Sequence, residues 1–379
     1  MYPEPKHSPI VPAYGAGALA DLAASVAASL GIPPYRNGLG FTSTQRACIL
    51  LVDGLGWEQL RDHPAAAPFL SELARSSRPI TAGFPSTTVT SMSSLCTGLP
   101  PGQHGMVGLQ FLLPATGKLL NGLNWDKHVD PWHAQPHPTI YERAALAGVA
   151  AYHVAKGRFR GTGLTEALMR GADFRPADSM GALVGQAIAA LRENNRALAV
   201  VYHGDLDGTG HVYGVGSDAW SYQLAHVDKM AEQLAQSLPP GTALYITGDH
   251  GMVDVGPDDR LDYDELPVLQ EGVAVLGGEP RARHLYTLPG AAADVLATWR
   301  ETLGERAWVL SRDEAIKDGW FGEVDPAMAE RIGDVIAAPS GTSAIVASKT
   351  DPLVSALFGM HGSLTPSEQL VPGLIYTAA

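Results

Sequence analysis

The chain has 379 residues, a net charge of −13 and 45% hydrophobic residues, which is the composition of a globular protein with a sizeable core. Lys and Arg form no run or stripe, so we expect no nucleic-acid polymer as a partner. No apolar run approaches the about 20 residues of a membrane helix, and the first residues do not read as a secretory leader. We therefore expect no membrane partner and a cytoplasmic location. The sequence carries no signal of oligomeric state.

Apolar strand-like runs alternate with helix-like segments, which predicts an α/β fold in which helices flank a sheet. The first predicted helix is the Ala-rich stretch around Asp21. The pattern then predicts, in chain order, a strand at 47–53, a helix at 56–76, a short helix at 88–97, a hairpin at 106–125, a helix at 139–147, a strand at 148–155, a helix at 179–193, a strand at 196–204, a helix at 217–236 and a strand at 242–251.

The pattern changes after Gly251. Strands are predicted at 274–278, 281–288 and 343–348, with a helix at 291–304. We interpret residues 1–379 as a single domain with a possible small elaboration at about 268–340, because no linker composition separates that stretch. The two cysteines, Cys48 and Cys96, lie in apolar or small-residue segments and are expected to be buried free thiols.

Acidic and histidine side chains follow the three most apolar strands. Because ligands bind beyond the carboxyl ends of strands in open α/β sheets, parallel strands would bring these groups to one edge. Carboxylate oxygens and imidazole nitrogens are ligands for zinc and for other divalent ions. The candidates, with one more histidine near the end of the chain, are Asp53, Asp205, Asp207, His211, Asp249, His250 and His361.

A candidate nucleophile lies in the segment GFPSTTVTSMSS. Pro85 breaks the chain, and the triplet from Ser86 to Thr88 then enters a helix of small residues. A hydroxyl at a helix N-terminus lies beside free backbone N–H groups, which suits a phosphate. Two metal ions about 3.5–4 Å apart can activate such a hydroxyl and hold both oxygens of an in-line phosphoryl displacement.

Each of these residues also has an ordinary structural interpretation. Ser and Thr before a helix are most often N-caps, and Asp after a strand is most often a turn residue. His361 alone would more often be a packed or surface side chain. Asp249 and His250 carry a stronger signal, because burying both after an apolar strand is costly without a partner. The combination of all these residues, in this order, favours a catalytic metal site.

Five motifs follow one another along most of the chain: LLVDGLG, FPSTT…TGLPPGQHG, DLDGTGHVYG, TGDHGM and MHGSLTPSE. With these motifs the chain resembles the nucleotide pyrophosphatase/phosphodiesterase family of the alkaline phosphatase superfamily. The resemblance implies an alkaline-phosphatase-like α/β sandwich, with a central mostly parallel sheet and helices on both faces. It also implies two divalent metal ions, with Zn²⁺ as the first expectation and Mn²⁺ as the alternative.

The resemblance assigns a role to each candidate residue. Thr88 is the nucleophile, with Thr87 as the fallback, and Asp205 is a turn residue or one that supports a ligand. The implied ligands are Asp53, Thr88, Asp249 and His250 for one metal, and Asp207, His211 and His361 for the other.

One departure from the family pattern concerns the substrate contact. The family commonly has Phe-Pro-Asn after the nucleophile, and the Asn helps to hold the phosphoryl oxygens. This chain has Val89, Thr90 and Ser91 there. The Ser91 hydroxyl or the backbone N–H of Thr88 is the expected substitute.

The implied activity is hydrolysis of phosphodiester or pyrophosphate bonds in small, nucleotide-like molecules. Diesters are favoured because the stretch from Ile80 to Gly105 contains no Lys or Arg that would meet the extra charge of a monoester. Lys156, Arg158 and Arg160 in the segment AKGRFRG are candidates for a phosphate contact, although a solvated basic loop is the favoured interpretation. The alternatives are a phosphomonoesterase of the same superfamily, a phosphoglycerate-mutase-like phosphotransferase and a non-catalytic metal-binding protein. A sulfatase is disfavoured because its C/S-x-P-x-R motif is missing.

Overall fold

The computed structural model describes residue 5 and residues 7–378. Its strands, in chain order, are β1 (Arg46–Val52), β2 (Pro79–Thr81), β3 (Gln110–Leu113), β4 (Lys118–Asn121), β5 (Ala150–Ala155), β6 (Asp173–Pro176), β7 (Ala197–His203), β8 (Thr242–Gly248), β9 (Val253–Asp254), β10 (Arg260–Asp262), β11 (Val273–Glu279), β12 (Ala282–Thr287), β13 (Ala307–Ser311), β14 (Val335–Pro339), β15 (Ala344–Val346), β16 (Gly359–Met360), β17 (Leu370–Pro372) and β18 (Leu374–Thr377).

The helices flank these strands. In chain order they are α1 (Leu19–Ser29), α2 (Trp57–Asp62), α3 (Pro68–Ala74), α4 (Thr88–Thr97), α5 (Pro101–His104), α6 (Pro131–Ala134), α7 (Ile140–Leu146), α8 (Gly163–Leu168), α9 (Met180–Glu193), α10 (Asp205–Tyr213), α11 (Asp218–Ser237), α12 (Pro267–Gln270), α13 (Ala292–Leu303), α14 (Arg312–Lys317), α15 (Pro352–Ser355) and α16 (Pro366–Gln369).

The central sheet has six strands in the order β18-β8-β1-β7-β5-β6. Five of them are parallel, and only β18 runs antiparallel to its neighbour β8. Val52 at the end of β1 pairs with His203 of β7 and with Gly248 of β8. The three strands therefore end level with one another, and the residues after them begin at one edge of the sheet. The predicted fold class, with a mostly parallel sheet between helices, is confirmed.

Alternate side chains of β1 enter two separate cores. Ile49 and Leu51 pack with residues of α1, α4 and α7 on one face of the sheet. Leu50 and Val52 pack with residues of α9 and α11 on the other face. This alternation follows from the two-residue period of a strand, and burial on both faces explains why β1 is apolar throughout.

A second, four-stranded antiparallel sheet lies within residues 273–339, in the order β11-β12-β14-β13. It falls inside the stretch at about 268–340 where the sequence indicates an elaboration. The division into one domain stays a prediction. Arg281, in the turn between β11 and β12, forms a fully buried ion pair with Glu368 of α16. Glu368 in turn accepts hydrogen bonds from Ser363 and Thr365, so this ion pair joins the second sheet to the segment that follows His361.

Two parts of the predicted element pattern differ from the structure. The helix expected at 56–76 is two shorter helices, α2 and α3, because the chain leaves the helical conformation around Pro64 and resumes it with Pro68 as the first helical residue. The strands β2, β6, β9, β10, β13, β14, β16, β17 and β18, and the helices α5, α6, α8, α10, α12, α14, α15 and α16, have no counterpart in the prediction. The hairpin at 106–125 is confirmed as β3 and β4, which are joined by residues 114–117.

Within the described residues, no helix combines the length and the apolar composition that crossing a lipid bilayer requires. Cys48 and Cys96 are free and buried, as predicted. The cytoplasmic location stays a prediction.

Candidate active site

The ends of β1, β7 and β8 carry the acidic residues that the sequence singles out. Asp53 directly follows β1, Asp249 directly follows β8, and α10 begins after β7 with one residue, Gly204, between them. Gly54 allows these elements to come close, because its φ is +75° and a Cβ there would lie 2.9 Å from the Cα of Asp207. The level strand ends and this glycine bring Asp53, Asp207 and Asp249 together.

Thr88 is the first residue of α4, and its side chain faces Asp53 and His250. Its hydroxyl oxygen lies 3.4 Å from both carboxylate oxygens of Asp53 and 3.4 Å from Nε2 of His250. The first backbone N–H groups of α4 point out of the helix beside it, as at any helix N-terminus. Thr88 therefore combines a hydroxyl, an acidic neighbour and an anion-binding helix end.

The three histidines of the site are oriented in the same way. Nδ1 of each ring lies at hydrogen-bond distance from a backbone carbonyl: 2.7 Å from Gly359 for His211, 2.9 Å from Gly251 for His250 and 3.0 Å from Ser86 for His361. A carbonyl only accepts, so Nδ1 carries a proton, and in the neutral ring the lone pair is on Nε2. This is the tautomer and orientation that a metal ligand requires.

The three carboxylates are only partly satisfied by protein donors. Asp53 accepts a hydrogen bond from the hydroxyl of Tyr202, and one oxygen of Asp249 accepts from the backbone N–H groups of Gly54 and His250. Oδ1 of Asp207 and Oδ2 of Asp249 are buried and accept no hydrogen bond. Buried anionic oxygens without a donor are costly, so this arrangement fits bound cations.

The concentrated negative charge changes the proton affinities of the site. Burial raises the pKa of Asp249 well above its ordinary value, and the charge of Asp53 adds to this effect. Burial alone would lower the pKa of His250, but the neighbouring carboxylates Asp249, Asp53 and Asp207 raise it to about 10. Divalent cations would offset the same charge.

Two groups of side chains have ligand atoms that all lie within 4.8 Å of one another. One is Asp207, His211 and His361, and the other is Asp53, Asp207 and His250. Asp207 belongs to both, so it lies between the two predicted metal sets. These groups, which could hold metal ions, contain five of the seven predicted ligands. The other two lie beside them: Thr88 is 3.4 Å from Asp53 and from His250, and Asp249 is 3.6 Å from His250.

A small cavity of about 130 Å³ opens above Thr88. Its polar wall contains Thr87, Thr88, Asp207, His211, Glu279 and His361. Its remaining wall is apolar and consists of Leu109, Leu123, Pro280, Val354, Leu357 and Met360. Among the described residues that line it there is no Lys or Arg.

A family model of type I phosphodiesterases / nucleotide pyrophosphatases matches residues 47–364, which span every residue of this site. The chain belongs to this family.

Three proteins illustrate the relationship. Human ectonucleotide pyrophosphatase/phosphodiesterase family member 7 is 25% identical over 262 residues, which cover 65% of this chain and 56% of that protein, so the chain spans little more than half the length of this relative. An inactive variant of murine ectonucleotide pyrophosphatase/phosphodiesterase 5, solved with AMP, has a TM-score of 0.70 at 18% identity and 88% coverage of both chains. Phosphonoacetate hydrolase from Sinorhizobium meliloti 1021, solved with phosphonoformate, has a TM-score of 0.69 at 20% identity, with 89% of this chain and 91% of that chain covered.

Ser91, predicted to contact substrate in place of the family's Asn, is fully buried and donates a 2.7 Å hydrogen bond to the carbonyl of Asp249. A contact with substrate would require this bond to break. In the structure, Ser91 therefore holds the segment that carries Asp249 and His250.

The remaining candidates lie around the site. Asp205 forms an ion pair with Lys156, and its side chain is 42% exposed. Arg158 lies over the ring of Phe159, and Arg160 lies over the ring of Phe174. None of these four charged residues lines the cavity. Asp205 and Lys156 pair with each other, and Arg158 and Arg160 each contact an aromatic ring.

Two residues of the site were missed by the sequence analysis. Tyr202 donates to Asp53, and Glu279 lines the cavity beside Thr87. The sequence does contain a pattern that points to Glu279: this acidic residue directly follows the apolar run AVLGG, just as Asp53 directly follows ACILLV. It gave no prediction because β11 belongs to the second sheet, whose position relative to the first is not evident from the sequence.

Proposed function

We propose that this member of the family is a metal-dependent hydrolase of phosphodiester or pyrophosphate bonds in small, nucleotide-like molecules. The position of Thr88 carries the proposal: its hydroxyl lies 3.4 Å from Asp53 and from His250, at the N-terminus of α4. Family membership supports the reaction class, and the AMP complex of the murine neighbour supports a small phosphorylated substrate.

Thr88 acts as the nucleophile in this proposal. Its oxygen forms a bond to phosphorus while the bond to the leaving oxygen breaks, which leaves a phosphoryl group on Thr88 that water then removes. The backbone N–H groups at the start of α4 hold the phosphoryl oxygens. Asp53 accepts from the Thr88 hydroxyl and so keeps its oxygen turned towards the bound phosphate.

Two divalent ions, Zn²⁺ or Mn²⁺, complete the proposal. Asp53, Thr88, Asp249 and His250 would hold one ion, and Asp207, His211 and His361 would hold the other. When bound, such ions lower the pKa of a coordinated hydroxyl and neutralise the charge that develops on the attacking and leaving oxygens. The unpartnered oxygens of Asp207 and Asp249 support this assignment, as do the three histidines, whose Nε2 atoms face the carboxylates.

The cavity favours diesters over monoesters. A monoester carries nearly one more negative charge, which enzymes commonly meet with an Arg or a further metal ion. The described lining of the cavity offers no such cation, and its apolar wall leaves room for a second ester group.

The proposal is tested with 4-nitrophenyl phosphate and a 4-nitrophenyl phosphodiester at identical metal loading. We expect the diester to have the higher kcat/KM, and Thr88→Ala to lower kcat for it by orders of magnitude while metal content stays close to that of the wild type. Thr87→Ala is the matched control and should be mild. A preference for the monoester would contradict the diesterase assignment, and a reversal of the two threonine phenotypes would move the nucleophile to Thr87.

A further inference from the structure

A second cavity, of about 500 Å³, lies between the turn of the β3–β4 hairpin, α6 and the segment that precedes β14. Of the described residues, none lines both this cavity and the one above Thr88. Arg331 forms part of its wall and is only 7% exposed. A guanidinium removed from water costs free energy unless acceptors or an anion compensate it. The partners of Arg331 therefore decide whether this space, the Arg331 cavity, is built for a ligand.

The protein satisfies only one nitrogen of the Arg331 guanidinium. Nη1 donates to the carbonyls of Gly105 at 3.0 Å and of Ala134 at 2.6 Å, and the group lies 5.8 Å from the centroid of the Phe111 ring. Within the described part of the chain, Nε and Nη2 have no acceptor, and no carboxylate pairs with the group. Neither nitrogen is sealed from solvent, so a molecule in the cavity can reach both.

Arg331 keeps its positive charge in this position. Burial lowers its pKa to about 10, so the guanidinium is still protonated at neutral pH. Nε and Nη2 present parallel N–H groups on one edge of the planar guanidinium, which matches the two oxygens of a single carboxylate. The two carbonyls that hold Nη1 fix the direction of this edge. Arg331 is thus a preorganised acceptor site for an anion.

The remaining wall of the Arg331 cavity is mostly apolar. At its rim, the indole of Trp132 is 60% exposed, and Arg170 lies 5.4 Å from the centroid of its ring. This cation–π contact holds the indole at the rim. The apolar side chains that line the cavity are Leu113, Pro114, Val129, Ala134, Pro136 and Met328. A ligand that fits both the guanidinium and this wall combines an anionic end with an apolar body.

The other ionisable groups of the wall favour an anion with a single charge. Asp130 and Glu330 line the cavity together with His128 and His133. Asp130 also caps α6, because its side chain accepts a 3.0 Å hydrogen bond from the backbone N–H of Trp132. The two carboxylates repel a doubly charged phosphate more strongly than a singly charged carboxylate.

We propose that the Arg331 cavity binds a small monocarboxylic acid with an apolar body, whose carboxylate accepts from Nε and Nη2 of Arg331 and whose body packs beside Trp132. The volume of about 500 Å³ is that of a small-molecule site. Because this cavity is separate from the one above Thr88, the inference goes beyond the proposed phosphodiesterase function and does not rest on it.

Calorimetric titration of the metal-loaded wild-type protein at pH 8 tests the proposal with 3-phenylpropanoate and 3-phenylpropanamide. The two molecules have nearly the same shape, and only the first carries a carboxylate. We expect the Kd of the acid to be at least about 10-fold lower than that of the amide, because the buried bidentate pair is charge-assisted.

Two variants locate the binding. Arg331→Lys keeps the positive charge and removes the planar fork, so it should raise the Kd of the acid by about 10-fold. Trp132→Ala changes an exposed side chain and should also raise the Kd of the acid, by at least about 3-fold, through loss of apolar contact. The control is Arg306→Gln, which removes an exposed guanidinium outside the cavity and should keep the wild-type Kd.

Each outcome decides the proposal. Equal affinities for the acid and the amide, or no binding of the acid, would overturn it. An acid Kd that is unchanged in Trp132→Ala would place the binding elsewhere, for example on the metal ions, and would also overturn it. If Arg331→Lys fails to fold, the acid–amide comparison and Trp132→Ala still decide. Binding of 2-phenylethylphosphonate that is tighter than that of the acid and is lost in Trp132→Ala would contradict the preference for a carboxylate.

Discussion

Tyr202 connects the core of the sheet to the candidate metal site. Its hydroxyl donates to Asp53, while its ring packs against Phe159 at a centroid distance of 5.7 Å. Burial and the nearby carboxylates raise the pKa of Tyr202 well above its ordinary value, so the hydroxyl keeps its proton and remains a donor. The ring fixes the position of the hydroxyl, and the hydroxyl fixes one oxygen of Asp53.

We therefore expect Tyr202→Phe to weaken metal binding by about 10–100-fold, the usual effect of removing a hydrogen bond to a ligand. Competition with a chromogenic chelator measures this change directly and does not depend on turnover. Tyr152→Phe is the control, because its hydroxyl bonds Glu193 and Asn194 away from the site. Equal affinities in the wild type and in Tyr202→Phe would show that Asp53 needs no support from Tyr202.

The two aspartates at the start of α10 should behave differently. Asp207 lies 3.2 Å from His211 and 3.7 Å from His361, whereas Asp205 is paired with Lys156 at a partly exposed position. Asp207→Ala should remove a ligand common to both groups, so we expect loss of bound metal by elemental analysis and loss of turnover. Asp205→Ala should cost much less on both measures. Equal losses would place Asp205 among the residues that the site requires.

The placement of individual residues was predictable where a local rule applied. Asp53 and Asp249 were placed by the convergence of parallel strand ends. The direction of a side chain at a helix start was not predictable in this way: Ser91 lies about one turn along α4 from Thr88, yet it points to the carbonyl of Asp249. Glu279 depends on how two sheets pack, and no local pattern contains that information.

At the scale of elements, the buried ion pair between Arg281 and Glu368 holds the β11–β12 turn against α16. Both side chains are fully buried, and removing one partner leaves the other charge without compensation. We expect Glu368→Gln to lower the free energy of unfolding by about 3–5 kcal/mol, measured by chemical denaturation.

The comparison for this measurement is Glu193→Gln, which breaks the exposed pair with Arg175 and should change stability far less. Similar losses in the two variants would mean that the buried pair contributes no more than a surface pair.

Elements whose sequence shows a clear apolar pattern or a turn motif were predicted well. Elements whose sequence shows neither were not predicted. The turn at 114–117 identified the hairpin of β3 and β4, and the apolar runs identified β1, β7 and β8. β18 has only four residues and is a strand because it pairs with the edge of β8. Such short strands are set by tertiary pairing, and the local sequence indicates them weakly.

At the scale of the whole molecule, the site should make both activity and stability depend on metal. Chelation should abolish turnover, and added Zn²⁺ or Mn²⁺ should restore it, because the candidate ligands, five of which form the two groups that could hold metal ions, lie at one edge of the sheet. Chelation should also lower Tm, because buried carboxylates are then left close together without compensating charge. Elemental analysis that finds no transition metal in an active preparation would contradict the metal-dependent mechanism.

The pairing of β1 with β7 and β8 also affects when the site can form during folding. Asp53 follows the first strand of the sheet and His361 lies near the other end of the chain, so the ligands meet only after distant segments have found one another. Contacts between distant segments form slowly, because loop-closure entropy opposes them. For the proposed metal site we therefore expect high-affinity binding to be a late event, one that reports completion of the topology better than the appearance of secondary structure does.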